Sequence, residues 1–168
     1  VKDFPRLQNL VNKTATKENF ASRNLQYYET LFEEFNKKDE AKFVIVKLDV
    51  EAYRKPFEDQ IKDLEEKIAK DTETNTKRSL NRANQNQDVL NATKKKLALI
   101  ADVNDDYIDL CGGVFLFMDH EVVYLIGGSD SRYFSFNGPQ FMQWQIMSEA
   151  LRRAIPTYNF YGTRGSFM

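Results

Sequence analysis

Residues 54 to 101 restrict the fold more than any other stretch. Phe57, Ile61, Leu64 and Ile68 recur at spacings of four, three and four, the seam of a coiled coil. Asp71 to Asn75 then breaks the apolar pattern with turn and cap chemistry. A second helical pattern follows through Leu80, Ala83, Leu90, Leu97 and Ile100. Two helices joined by so short a loop must run antiparallel. The pattern predicts an antiparallel coiled-coil arm over 54–101, inserted into one mixed α/β domain made of 1–53 and 102–168.

Charge divides along this arm. Residues 54–73 sum to −2 and residues 77–101 to +5. Opposite signs favour pairing across the hairpin, although an exposed pair contributes only about 0–1 kcal/mol. Asn81 and the run from Asn84 to Gln87 rule out a wide buried face in the second helix, so this part of the arm is expected to stand in solvent.

Over all 168 residues the net charge is −1, so composition provides no general attraction to nucleic acid or membrane. The 13 Phe, 8 Tyr and 1 Trp lie mostly outside the arm and argue against disorder. Cys111 is the only cysteine, which excludes an intramolecular disulfide and reads as a buried thiol. No run of eighteen apolar residues occurs, and a reducing cytoplasm is expected. The chain opens on Val1 without a methionine and reads as an excised piece of a longer protein.

The flanks of the arm predict an ordered set of elements. Phe4, Leu7, Leu10 and Val11 form one helical face, with Asp3 as its cap, Pro5 in the first turn and Lys13–Lys17 as a polar connector. A second helix is expected over about 24–36, then a strand over 41–48. Pro56 should mark a boundary or kink near the start of the arm. Val114–Met118 and Glu121–Ile126 flank Asp119-His120 and read as a hairpin buried on both faces. A helix from Pro139 to about Ala154 presents Phe141, Trp144, Ile146, Met147 and Leu151, and a strand over 157–161 follows. Helix, helix, strand, strand, strand, helix, strand is a GNAT-like acyltransferase order, by analogy. A coenzyme A site would need a glycine-rich loop whose amides hold pyrophosphate at the next helix. Arg132 to Pro139 lacks that pattern, so coenzyme A is disfavoured.

Four segments carry a family resemblance. They are Ser22-Arg-Asn-Leu-Gln-Tyr-Tyr28, His120-Glu-Val-Val-Tyr-Leu-Ile-Gly-Gly128, Gln143-Trp144 and Tyr158-Asn-Phe-Tyr-Gly162. In this order and spacing they resemble the Fem family, which takes in FemA-, FemB- and FemX-like and MurM- and MurN-like proteins. The resemblance covers nearly the whole chain. It implies the second GNAT-like subdomain of such a protein together with its coiled-coil arm. It also implies transfer of an amino acid from aminoacyl-tRNA to the stem peptide of a peptidoglycan precursor, building the interpeptide bridge, with no metal, cofactor or covalent enzyme intermediate. The implied partners are aminoacyl-tRNA, a lipid-linked or nucleotide-linked muramyl pentapeptide and, through the lipid-linked substrate, the inner membrane face. The family's first subdomain and its C-terminal lysine-bearing segment have no counterpart here, so no catalytic residue is assigned.

The resemblance implies that Arg23 and Tyr27 bind the precursor. An arginine fork suits a phosphate or carboxylate, while the plainer reading is a surface arginine on a tyrosine ring. Tyr124 is either a substrate contact or core packing. His120, in a turn, reads as solvated rather than as a base. Gly127-Gly128 with Arg132, and more weakly Arg164 between Gly162 and Gly165, are anion candidates. For tRNA the candidates are Lys77, Arg78 and Arg82 near the arm tip and Lys94, Lys95 and Lys96 near its base. The alternative is a solvated face neutralised by the acidic helix. Two other functions stay open: a coenzyme A-dependent N-acyltransferase, and a non-catalytic coiled-coil binding module.

Overall fold

The computed structural model describes residues 3–38 and 40–161. The chain divides into two compact units, Val1–Lys47 with Asp109–Met168, and Leu48–Ile108.

In the first unit, α1 (Phe4–Glu18) and α2 (Leu25–Phe35) precede β1 (Ala41–Asp49), whose last residues belong to the second unit. The sheet continues with β2 (Tyr107–Phe117), β3 (Glu121–Ser129) and β4 (Thr157–Asn159), in the spatial order β1-β2-β3-β4. β2 and β3 pair antiparallel, and β4 joins β3 in parallel after α5 (Gly138–Arg152). This is the mixed α/β, GNAT-like order expected from the sequence.

Two core clusters occupy the two faces of the sheet. On one, Phe4, Leu7 and Val11 of α1 and Tyr28 of α2 pack with Val114, Phe43 and Ile45. On the other, Met142, Ile146 and Ala150 of α5 meet Cys111, Phe115, Phe117 and Val122. The register shifts between Val114 and Phe115: Val114 faces Ile126, but Phe115 faces Tyr124. Leu125 is thus the extra residue of a bulge. It joins Ile126 on the α1–α2 face and leaves Tyr124 on the α5 face.

Several local expectations change. α1 runs through Lys13–Lys17 to Glu18 because Ala15 is buried and Thr14 reaches β3. Asp3 makes no side-chain cap bond and instead lies 3.6 Å from Lys47. β2 is buried on both faces, whereas β3 is mostly half-buried. Phe141, Trp144 and Leu151 of α5 are exposed, and Gly138, Met142, Ile146 and Ala150 form the buried stripe at a spacing of four.

In the second unit, α3 (Val50–Thr74) and α4 (Lys77–Ala98) pair as a hairpin. Asn75 takes the left-handed conformation, and Thr76 with Ser79 forms a reciprocal capping box. Asp49 caps α3 by accepting from the Ala52 amide at 2.9 Å. The helix passes through Pro56, so that residue is no boundary. The cap behind it and the Tyr53–Phe57 ring contact at 4.9 Å hold the turn that lacks one amide. The seam of α4 also differs. Ser79, Ala83, Leu90 and Thr93 are buried, while Leu80 is 38 % exposed. The heptad therefore runs through Ser79 rather than Leu80, because Ser79 is drawn inward by the cap.

Candidate functional site

The loop between α1 and α2 covers one end of the sheet. Asn19 ends α1 in the left-handed conformation, and its amide is held by the Ala15 carbonyl. Asn24 caps α2, its side chain accepting from the Tyr27 amide at 3.0 Å. These two turns set residues 20–23 over the Leu125–Gly127 end of the bulge. Between them lies a cleft of about 340 Å³, lined by Val11, Phe20–Arg23, Tyr27, Tyr28, Leu125–Gly127 and Tyr161.

Arg23 and Tyr27 thus line one cleft. The guanidinium carbon of Arg23 lies 5.4 Å from the centre of the Tyr27 ring, and the Gln8 amide donates to the Arg23 carbonyl at 3.0 Å. The cation–π contact does not occupy the donors of the fork, so an exposed Arg23 both packs on the ring and retains hydrogen bonds for an anion. Sequence reasoning passed over Tyr28, Tyr161 and the lining role of Gly127. Tyr28 adjoins Tyr27, but only the fold puts it in the cleft wall.

Tyr124 stands on the other face of the sheet. Its ring stacks on Phe115 with centroids 5.0 Å apart, and it lines a pocket of about 120 Å³ with Cys111, Gly127, Gly128 and Met142. Burial, reinforced by Cys111, pushes its hydroxyl up to about 12, so it is neutral over the physiological range. Gly127 connects the two places. It lines both, and a Cβ on it would stand 1.5 Å from the Tyr124 hydroxyl oxygen.

Arg132 is not available as an anion cradle. Its guanidinium donates to buried Asp130 at 2.7 Å, and Lys13 reaches the same carboxylate at 2.7 Å. The Arg132 hydrogen bonds, with that of Lys13, outweigh burial and hold Asp130 well below the usual carboxylate range. Gly128 packs on the backbone of α1 rather than facing a ligand. Arg164 and its flanking glycines lie outside the described residues. His120 is exposed in the two-residue turn closed by the Met118 amide and the Glu121 carbonyl. Cys111 is 1 % exposed, and burial pushes its thiol up to about 12, which leaves it protonated and inert.

On the arm, the acidic helix engages part of the basic one. Arg82 pairs with Asp71 at 2.5 Å, Lys94 with Glu65 at 2.8 Å, and Lys96 lies over the Phe57 ring at 5.5 Å. Lys77, Arg78 and Lys95 are exposed and have no ion pair among the described residues. No helix among the described residues is long and apolar enough to cross a membrane, and no cluster of metal-ligating side chains occurs among them.

A sequence model described as the FemAB family matches residues 1–168. Among similar proteins, the Aminoacyltransferase FemA of Staphylococcus epidermidis is 25% identical, over 98% of this chain and 41% of its own length. The Lipid II:glycine glycyltransferase of Staphylococcus aureus (strain USA300) is 26% identical, over 92% of this chain and 39% of its own. The crystal structure of FemX superposes with a TM-score of 0.70 at 24% identity, covering 97% of this chain and 43% of FemX. The chain therefore spans about two fifths of the length of these relatives.

Proposed function

The chain belongs to the FemAB family, and from this we propose that it is the arm-bearing subdomain of a cytoplasmic aminoacyltransferase. The enzyme moves an amino acid from aminoacyl-tRNA to the stem peptide of a peptidoglycan precursor. The observation that supports this reading is the family match over the whole chain, among relatives named for aminoacyl and glycyl transfer. The domain reading goes with it: a GNAT-like subdomain from residues 1–53 and 102–168, with the arm over 54–101.

In this reading the cleft of Arg23 and Tyr27 holds the muramyl-peptide precursor. The Arg23 fork takes a phosphate or carboxylate oxygen in charge-assisted hydrogen bonds, and the Tyr27 ring keeps the guanidinium flat and in place. Tyr124, neutral and placed beyond Gly127, is a positioning residue for that strand end. Transfer requires a neutral amine to attack the ester that joins the amino acid to tRNA. A base must take the amine proton, and donors must meet the carbonyl oxygen as it becomes an oxyanion. The residues for these two roles are not assigned in this chain.

Lys77, Arg78 and Lys95, with Arg82, Lys94 and Lys96 behind them, present the basic face of the arm to tRNA phosphates. Each phosphate contact contributes a salt slope of roughly −0.7 to −0.9. Reversing Lys77 and Arg78 to glutamate should therefore weaken tRNA binding and flatten the slope by about 1.5.

Transfer of radiolabelled amino acid from charged tRNA to nucleotide-linked or lipid-linked muramyl pentapeptide, by the full-length protein, tests the whole reading. Labelled pentapeptide is expected, with Arg23→Ala raising KM for the precursor. Absence of transfer from every charged tRNA, or tight binding of acetyl-coenzyme A by calorimetry, would overturn it.

A further inference from the structure

Tyr28 is the most enclosed polar side chain at the cleft. It is 0 % exposed, and its hydroxyl is fully buried with no hydrogen-bond partner. A buried hydroxyl without a partner is costly, whereas a phenylalanine ring would fill nearly the same space at no such cost. The ring is well packed, among Phe4, Leu7, Val11 and Val114, and stands edge-on to Tyr27 at 5.7 Å. Packing thus accounts for an aromatic ring at this position but not for its oxygen.

The surroundings indicate what the oxygen is for. Tyr28 forms part of the same cleft wall as Arg23 and Tyr27. Arg23 is near enough for its charge to favour the ionised phenol, opposing the stronger effect of burial. The segment above is tied down lightly. Phe20 is 40 % exposed, and Ala21, Ser22 and Arg23 are exposed. The Phe20 amide bonds to the Ala15 carbonyl and the Arg23 carbonyl accepts from Gln8. Tyr28 and this exposed segment line the same cleft.

We propose that the Tyr28 hydroxyl is a hidden binding group of the cleft, donating to a phosphate or carboxylate oxygen that enters beside the Arg23 guanidinium. The oxyanion then receives the Arg23 fork from the solvent side and one O–H from the core side. This gives the site a way to discriminate: a ligand without an oxyanion at that point leaves the hydroxyl buried and unpaired. The inference rests on the reading of this cleft as the precursor site.

The test uses the full-length protein with Tyr28→Phe and Arg23→Ala, and calorimetry with three probes. These are the uridine-diphosphate-linked muramyl pentapeptide, uridine diphosphate alone and the stem pentapeptide alone. Tyr28→Phe should weaken the first about 10-fold, equivalent to about 1.4 kcal/mol, with a melting temperature equal to or above that of the wild type. Loss confined to uridine diphosphate identifies a phosphate as the occupant, and loss confined to the pentapeptide identifies a carboxylate. Unchanged affinity in Tyr28→Phe beside weakened binding in Arg23→Ala would overturn the role of Tyr28 and leave the cleft standing. Unchanged affinity in both would overturn the cleft reading and this one with it. A lower melting temperature for Tyr28→Phe would mean the hydroxyl is already satisfied in the free protein, and would also overturn the proposal.

Discussion

Replacing Gly128 by alanine tests how closely α1 must approach β3. A Cβ at this position would stand 2.4 Å from both the Cα and the nitrogen of Val11, and 2.5 Å from the carbonyl carbon of Leu10. These are backbone atoms of a helix, so no rotamer change relieves them. Ordinary contact begins near 3.4 Å, and α1 must therefore retreat by about 1 Å. A gap of about 0.5–1 Å forfeits roughly a quarter to a half of the attraction in each contact. Leu7, Leu10 and Val11 are each buried to within 2 % and contribute about 1.5–3 kcal/mol apiece. The expected loss is thus about 1–4 kcal/mol, in line with overpacked cores generally. For a chain of this size, 3 kcal/mol corresponds to a fall in Tm of roughly 6–12 °C. Gly127→Ala is the comparison. Its Cβ would meet the hydroxyl oxygen and Cζ of Tyr124 at 1.5 and 2.3 Å, atoms at the end of a side chain that can swing aside for about 1–2 kcal/mol. Urea unfolding followed by far-ultraviolet circular dichroism, with the slope checked for constancy, measures both. A Gly128→Ala protein within about 0.5 kcal/mol of wild type, or no less stable than Gly127→Ala, would refute the reasoning.

Other consequences can be measured on the same preparations. Asp130→Asn removes the charge that Lys13 and Arg132 share, at a cost of roughly 1.5–3 kcal/mol at neutral pH. Because the folded state depresses the Asp130 pKa, this contribution is complete above pH of about 4. It fades as pH falls through the folded value, so the gap between variant and wild type in urea should close in acid. On the arm, Leu80→Ala should change stability by less than about 0.5 kcal/mol, while Leu90→Ala should cost about 2–5 kcal/mol; equal effects would refute the Ser79 seam. Iodoacetamide at pH 8 should leave Cys111 unlabelled in the native protein and label it fully in urea, read by mass spectrometry. Rapid native labelling would contradict the buried thiol.

Much of this was legible because it depends on local pattern. The 4-3-4 spacing from Phe57 to Ile68 names a helix and its seam without knowledge of anything else. Asp49, Asn24 and Thr76 each accept from an amide three residues on, so these caps are local, although Asp3, expected as a cap, makes no such bond. The hairpin about Asp119-His120 and the Pro139 helix start are of the same kind. Errors arose where a side chain's fate depends on another element. Ser79 displaced Leu80 from the seam because a cap bond turned it inward. Trp144 and Phe141 belong to an apolar run yet lie outside, since Met142, Ile146 and Ala150 present the flatter stripe to β2 and β3.

The candidate site shows the same division. The sequence by itself put Arg23 and Tyr27 four residues apart at a helix start. Because Arg23 precedes the Asn24 cap, the cap turn and the Gln8 bond to the Arg23 carbonyl accompany its position over the Tyr27 ring. Only the tertiary structure decided what they face and what they lack. One extra residue at Leu125 reverses the alternation of β3, which sends Tyr124 to the α5 face, where the missing Cβ of Gly127 leaves room for its hydroxyl. Only packing, against Phe4, Leu7, Val11 and Val114, buries Tyr28 with its hydroxyl unpaired. Strand alternation and burial are properties of pairs of elements, set by register and by how near one backbone can approach another, and no single segment encodes them.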